Sequence, residues 1–195
     1  MTETKKTRSP LLALAAIIAI FVVGSLLNSR HTTNSAGLER LKDSYPIIAS
    51  DLRQFGSPYN NVPGLPCTLF IGKEGKVKAM LVGMVDTKLA TAIVNSDNAP
   101  LQIINPQQLI NTTFYGKPAP NFIVKDINGN QHELSKLRGK EVMITFWATW
   151  CKYCRIEMPE LIKMREEIPQ DKLEMLSISF ESEKTVRDFV EKPYI

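Results

Sequence analysis

The junction between residues 141 and 167 constrains this chain more than any other feature. Glu141 to Trp147 is an apolar run of strand length. A helical pattern follows from about Cys151 to Glu167, with Met158, Leu161, Ile162 and Ile168 at core-facing spacing. At the joint stands Cys151-Lys152-Tyr153-Cys154. A strand that feeds straight into a helix puts Cys151 at the helix N-terminus. Unpaired backbone N–H groups and the helix dipole favour a thiolate there, and Lys152 adds a positive charge. The thiolate is the nucleophile of disulfide exchange, and Cys154, one turn on, is placed to attack a mixed disulfide formed at Cys151. The chain has three cysteines, too few for a disulfide framework, so the pair reads as redox chemistry and Cys67 is left over.

The flanking sequence gives an alternation of strands and helices. Leu173 to Phe180 reads as the next strand, and Glu181 to Lys192 as an amphipathic helix carrying Val186, Phe189 and Val190. Upstream, Phe122 to Lys125 and Gln131 to Leu134 flank Asn128-Gly129, a hairpin turn signal. Earlier still, Ile47 to Ala49 is a short strand and Asp51 to Asn61 a helical turn and loop. Cys67 to Ile71 and Lys76 to Val82 form a second hairpin around Gly72-Lys73-Glu74-Gly75. Asp86 is placed to cap a helix with Leu89, Ala90, Ile93 and Val94 on its apolar face. Ser96 to Pro118 holds three prolines and reads as a linker, with one short helical turn at Gln107 to Ile110. Alternating strands and helices predict an α/β fold with a partly parallel sheet.

The N-terminus sets the expected compartment. Lys5, Lys6 and Arg8 precede an apolar run of 18 residues, Pro10 to Leu27, broken only by Gly24 and Ser25. At about 1.5 Å rise per residue this nearly crosses a hydrocarbon core of about 30 Å. It is longer than the usual apolar core of a cleaved signal, although cleavage after Gly24 is the alternative. The expected layout is a cytoplasmic tail at 1–9, an anchor at 10–28 and a tether at 29–44, with the remainder exported. A net charge of +4 without a long basic run gives no ground for nucleic-acid binding. His31 and His132 read as surface residues.

The stretch Thr145 to Leu161, with Gly116-Lys117-Pro118-Ala119-Pro120-Asn121-Phe122 and Arg138-Gly139-Lys140, resembles the thioredoxin superfamily and its membrane-anchored TlpA/ResA-like branch. The resemblance covers residues 116 to 192. It implies a thioredoxin-like fold and thiol–disulfide oxidoreductase activity, often reductive, on exported protein thiols such as those of apocytochromes. It also implies a membrane electron donor or acceptor and no cofactor. Cys151 is then the attacking thiol and Cys154 the resolving one. Glu157 matches an acid of this branch that moves a proton near Cys154; the alternative is a solvated helix residue. Trp150 flanks the site, Trp147 is a packing group and Pro159 kinks the helix. The sequence departs from the family at Lys152-Tyr153, where a proline often precedes the second cysteine. It departs again at Thr145, where thioredoxin itself has an acid.

The order of the two halves is reversed relative to that family. Gly64-Leu65-Pro66-Cys67, the strands after it and the helix from Asp86 resemble the family's C-terminal half, and Tyr45-Pro46-Ile47-Ile48 the strand before it. Residues 45–95, a linker at 96–115 and residues 116–195 then make one circularly permuted fold. A truncated tandem and a dimer that swaps halves satisfy the same pattern. By resemblance Leu65 and a cis Pro66 bind substrate beside Cys151, 85 residues further on. Cys67 is a buried strand cysteine or a third redox thiol.

Three other functions compete. A peroxiredoxin-like peroxidase shares the segment from Gly116 to Phe146 but needs Thr where Ala148 stands. A copper-delivering chaperone needs wider cysteine spacing and a nearby His. An inert interaction protein has no use for an intact cysteine pair.

Overall fold

The computed structural model describes residues 40–96, 107–110 and 112–191. A five-stranded sheet forms its centre, in the order β1 (Ile47–Ala49), β7 (Leu173–Ser179), β6 (Glu141–Trp147), β2 (Cys67–Ile71), β3 (Val77–Val82). The first three strands run parallel, with Ile47 beside Ser177 and Trp147 beside Ser179. β2 is antiparallel to both β6 and β3, with Cys67 beside Phe146 and Val82. The two strands of residues 141–179 thus lie side by side between strands of residues 47–82 in one sheet of one chain. Its order and its flanking helices fit a thioredoxin-like fold. A separate hairpin, β4 (Ile123–Lys125) and β5 (Gln131–Glu133), turns through Gly129 at φ +87°, a left-handed conformation that suits glycine.

β6, β2 and β7 are buried along their whole length, as their unbroken apolar runs require of a sheet covered on both faces. Side-chain alternation sorts their residues into two layers. Met143 and Trp147 of β6 and Phe70 of β2 pack against the helices α2 (Thr87–Val94), α3 (Lys152–Glu167) and α4 (Glu183–Glu191), through Ala90, Ile93, Met158, Leu161, Val186 and Phe189. Val142, Ile144, Phe146, Cys67 and Leu69 face the other layer, where Phe55, Tyr59 and Phe122 meet edge to face at 5.3–6.1 Å. Tyr59 also donates its hydroxyl to Pro120 O at 2.7 Å, tying the loop after β1 to the segment before β4. The chain enters through α1 (Leu41–Ser44), whose Leu41 is fully buried. α3 runs through Pro159.

Two expectations are corrected. Gln107 and Gln108 form a turn, but Leu109 and Ile110 then run along β3 and do not continue it as a helix. Leu109 bridges to Leu81, Val82 N–H donates to Gln108 O at 2.9 Å, and Ile110 N–H donates to Met80 O at 3.0 Å. β3 is the sheet edge, and its open backbone groups recruit this segment as a partial cover. His132 is not a plain surface residue either. Its Nε2 lies 2.9 Å from Asp126 Oδ2, a carboxylate that also accepts the Asn128 and Asn130 amides and is only 4% exposed. The anchor expected at 10–28 and His31 lie outside the described residues. Among the described residues no helix is long and apolar enough to cross a membrane.

Candidate active site

β6 ends at Trp147, and the turn that follows, closed by Cys151 N–H to Ala148 O at 3.1 Å, delivers Cys151 to the N-cap of α3. The cysteine side chain takes the part usually played by Ser or Asp at a helix start. Its Sγ accepts the Cys154 N–H at 3.1 Å. Cys151 and Cys154 form a disulfide in this structure. On reduction the same N–H faces a thiolate, a charge-assisted contact that favours the ionised form of Cys151. The first turn of α3 carries no carboxylate, and Lys152 and Arg155 stand exposed on it.

Cys151 opens onto a groove of about 420 Å³ lined by Leu52, Val62, Pro63, Gly64, Leu65, Trp150, Tyr153 and Phe180. Trp150 is 67% exposed and Tyr153 59%, and Trp150 meets Phe180 edge on at 6.2 Å. Two large aromatic side chains thus stand in water beside the Cys151 sulfur as an exposed apolar patch. Trp147, by contrast, is buried and packs on Phe189 at 5.5 Å. The pairing of Cys67 with Phe146 sets Leu65 and Pro66 at the end of β6 that leads to Cys151. The Leu65–Pro66 bond is cis, Pro66 is buried, and its carbonyl accepts the Gly83 N–H at 2.8 Å.

Glu157 is 2% exposed, so a solvated helix residue is excluded. Three residues after Cys154, it shares that cysteine's helix face. Oε1 accepts the Val85 N–H at 2.7 Å, and Oε2 is buried with no hydrogen-bond partner among the described residues. Burial pushes the Glu157 carboxyl up to about 7, against the opposing pull of the Val85 N–H. The same burial holds the Cys67 thiol up at about 12, with Glu157 adding to it. Cys67 faces the layer of Phe55 and Phe122, whereas Cys151 and Cys154 pack with the helix layer. Thr145, standing where thioredoxin has an acid, is buried with its Oγ1 3.5 Å from Thr68 Oγ1.

One participant left no mark in the sequence reading. The Glu181 carboxylate accepts both the N–H of Thr149 at 2.6 Å and its hydroxyl at 2.7 Å, and also the Ser179 hydroxyl at 3.2 Å. It grips the turn that carries Trp150 and Cys151. The only available signal was its place two residues past Ser179, which pairs with Trp147. Among the described residues no group of three or more His, Cys, Asp or Glu is arranged to hold a metal ion.

The sheet order and the Cys151–Cys154 pair at the start of the helix after a central parallel strand are thioredoxin-like in arrangement. Residues 115–195 match the AhpC/TSA family. Over 80 residues the chain is 42% identical to the thioredoxin-like protein YneN of Bacillus subtilis (strain 168), covering 39% of this chain and 46% of that protein. It is 40% identical over 76 residues to the thiol-disulfide oxidoreductase ResA of Bacillus anthracis, covering 38% of this chain and 44% of ResA. With ResA of Bacillus subtilis (strain 168) the figures are 37% over 76 residues, 38% of this chain and 42% of that protein. The chain thus spans somewhat less than half the length of the curated relatives it matches. No solved structure gives a significant match.

Proposed function

We propose that this chain is a thiol–disulfide oxidoreductase that reduces disulfides of exported proteins. The Cys151 thiolate attacks one sulfur of a substrate disulfide, forming a mixed disulfide and expelling the other sulfur as a thiolate. The Cys154 thiolate then attacks Cys151 Sγ, which closes the Cys151–Cys154 disulfide and releases the second substrate thiol. Two electrons pass to the substrate, and a membrane thiol donor returns the pair to the reduced state. Glu157, poised near neutrality, takes the proton from Cys154 as that thiol becomes a nucleophile. Trp150, Leu65 and Pro66 seat the substrate segment along the groove.

The observation that carries this reading is the capping contact from Cys154 N–H to Cys151 Sγ at the mouth of an apolar groove. The names of YneN and ResA support the reaction class. The finer reading is an inner-membrane protein held by residues 10–28, with its tail in the cytoplasm, its catalytic domain in the periplasm or outside the cell, and apocytochrome thiols among its substrates. The sheet shared by residues 47–82 and 141–179 supports a circularly permuted thioredoxin fold built from 45–95 and 116–195.

The test uses the reduced protein and an unfolded polypeptide carrying one disulfide. Cys151→Ser is expected to abolish exchange, and Cys154→Ser to accumulate a mixed disulfide through Cys151. A Cys151→Ser protein that still forms the mixed disulfide refutes the scheme. The AhpC/TSA match keeps a peroxidase in view. Consumption of hydrogen peroxide at a rate above that of protein disulfides would favour it, despite Ala148 in place of the required Thr.

A further inference from the structure

The sheet topology gathers one set of loops at the end of the molecule opposite the cysteine pair. These are the β2–β3 turn, the entries to β6 and β7, and the C-terminal end of α3. Hydrogen bonds hold them together: Gly139 N–H to Lys73 O at 2.9 Å, Arg138 Nη1 to Glu74 O at 2.6 Å, Glu141 N–H to Lys172 O at 3.1 Å, and Val77 N–H to Lys117 O at 3.0 Å. They bring Lys73, Lys76, Lys117, Arg138, Lys140 and Lys172 to this pole, against the carboxylates Glu74, Asp171 and Glu174 and, in the last turn of α3, Glu166, which pairs with Arg40, and Glu167, which pairs with Lys163. The Lys78–Glu141 pair, 3.0 Å apart and buried, is internally neutral. Lys76 pairs with Glu74 and Lys140 with Glu174. Lys73, Lys117, Arg138 and Lys172 are exposed, and none makes an ion pair with a described carboxylate. A basin of about 650 Å³ opens between Lys73, Lys76 and Lys172. At the cysteine end Asp51, Asp126, Glu181 and Glu183 line a hollow beside Lys125, while Lys152 and Arg155 stand exposed on the first turn of α3.

The chain enters the described domain at the basic pole. Arg40 pairs with Glu166 in the last turn of α3, and Leu41 is buried in the same cluster as Met164. Twelve residues, 28–39, separate this point from the apolar run that ends at Leu27, a reach of at most about 40 Å. An anionic lipid surface attracts basic side chains held within about a Debye length, roughly 8 Å at physiological salt.

We propose that this basic pole, centred on Lys73, Lys117, Arg138 and Lys172, docks on anionic phospholipid headgroups and points the Cys151 groove away from the bilayer. Seven residues of β6 set the cysteines about 23 Å above the docked face. The inference rests on the reading of residues 10–28 as an anchor.

The full chain, reconstituted into vesicles of phosphatidylcholine with and without phosphatidylglycerol, tests it by flotation and amide hydrogen exchange. The expected result is exchange at 72–76 and 137–140 slowed about tenfold in the anionic vesicles only, with the slowing abolished by high salt. The combined variant K73E, K117E, K172E floats as before and exchanges disulfides normally in detergent, but loses the slowing. Equal exchange in the two vesicle types, or slowing at the 62–65 groove instead, overturns the docking proposal while leaving the anchor intact. Failure of the full chain to float with either vesicle overturns the anchor and the docking proposal together.

Discussion

The Glu157 carboxylate accepts the Val85 N–H at 2.7 Å across 72 residues of chain, and it does so almost wholly out of water. The bond joins the active-site helix to the loop after β3, so residues from the two halves of the chain build one environment around Cys154. That environment has a thermodynamic signature. The carboxyl is held up at about 7, against an ordinary value of 4.5, because burial disfavours the charge. A raised folded-state value means that the folded protein keeps its proton longer than the unfolded chain. The associated stability is complete below about pH 4.5 and is lost as the pH rises through 7. The shift corresponds to about 3 kcal/mol. Glu157→Gln removes this titration. Denaturant unfolding of both proteins at pH 4.5 and pH 8 is expected to show the variant gaining about 3 kcal/mol relative to wild type over that interval. Parallel pH profiles would mean that Glu157 ionises normally.

Glu181 is a positioning residue. Its carboxylate satisfies the Thr149 N–H and hydroxyl, so Glu181→Ala leaves a partly buried donor without its acceptor, at about 1–3 kcal/mol. The turn that presents Cys151 loosens with it. Exchange is expected to slow and the Cys151 thiolate to form at higher pH, with Glu181→Gln recovering part of both. An unchanged thiolate titration in Glu181→Ala would restrict the residue to a structural role.

Cys67 is predicted to be a bystander. Fully buried and held up at about 12, it carries almost no thiolate at neutral pH. In the reduced native protein a thiol reagent at pH 8 is expected to modify Cys151 and spare Cys67 until denaturant is added. Cys67→Ala is expected to keep full exchange activity and to lose about 1 kcal/mol of stability from the small cavity. Loss of exchange in that variant would make Cys67 a third redox thiol.

The elements readable in the sequence are those whose signals are local. Ile47–Ala49, Cys67–Ile71 and Glu141–Trp147 lie where apolar runs bounded by turn residues put them, and Asp86 caps its helix by accepting the Leu89 N–H. Cys151 at the N-cap follows from the strand–helix junction alone. Features set by distant partners were not readable. Gln107 to Ile110 lies against β3 because that edge needs hydrogen bonds, which nothing in its own residues announces. His132 is claimed by Asp126 across a hairpin turn, and Glu181 acts on a turn 32 residues earlier. Glu157 stands between: its spacing from Cys154 and Leu161 fits a buried face, but its residue type argues for water.

In the proposed scheme Cys151, at the helix N-terminus, is the nucleophile, and thiolate absorbance measured against pH in the reduced protein tests this most directly. The comparison needs Cys154→Ser and Cys151→Ser, each combined with Cys67→Ala. Cys151 is expected to ionise well below the ordinary cysteine value of about 8.5, and Cys154 above Cys151. A Cys154 that ionises at the lower pH, or a Cys151 at or above the ordinary value, would contradict the account.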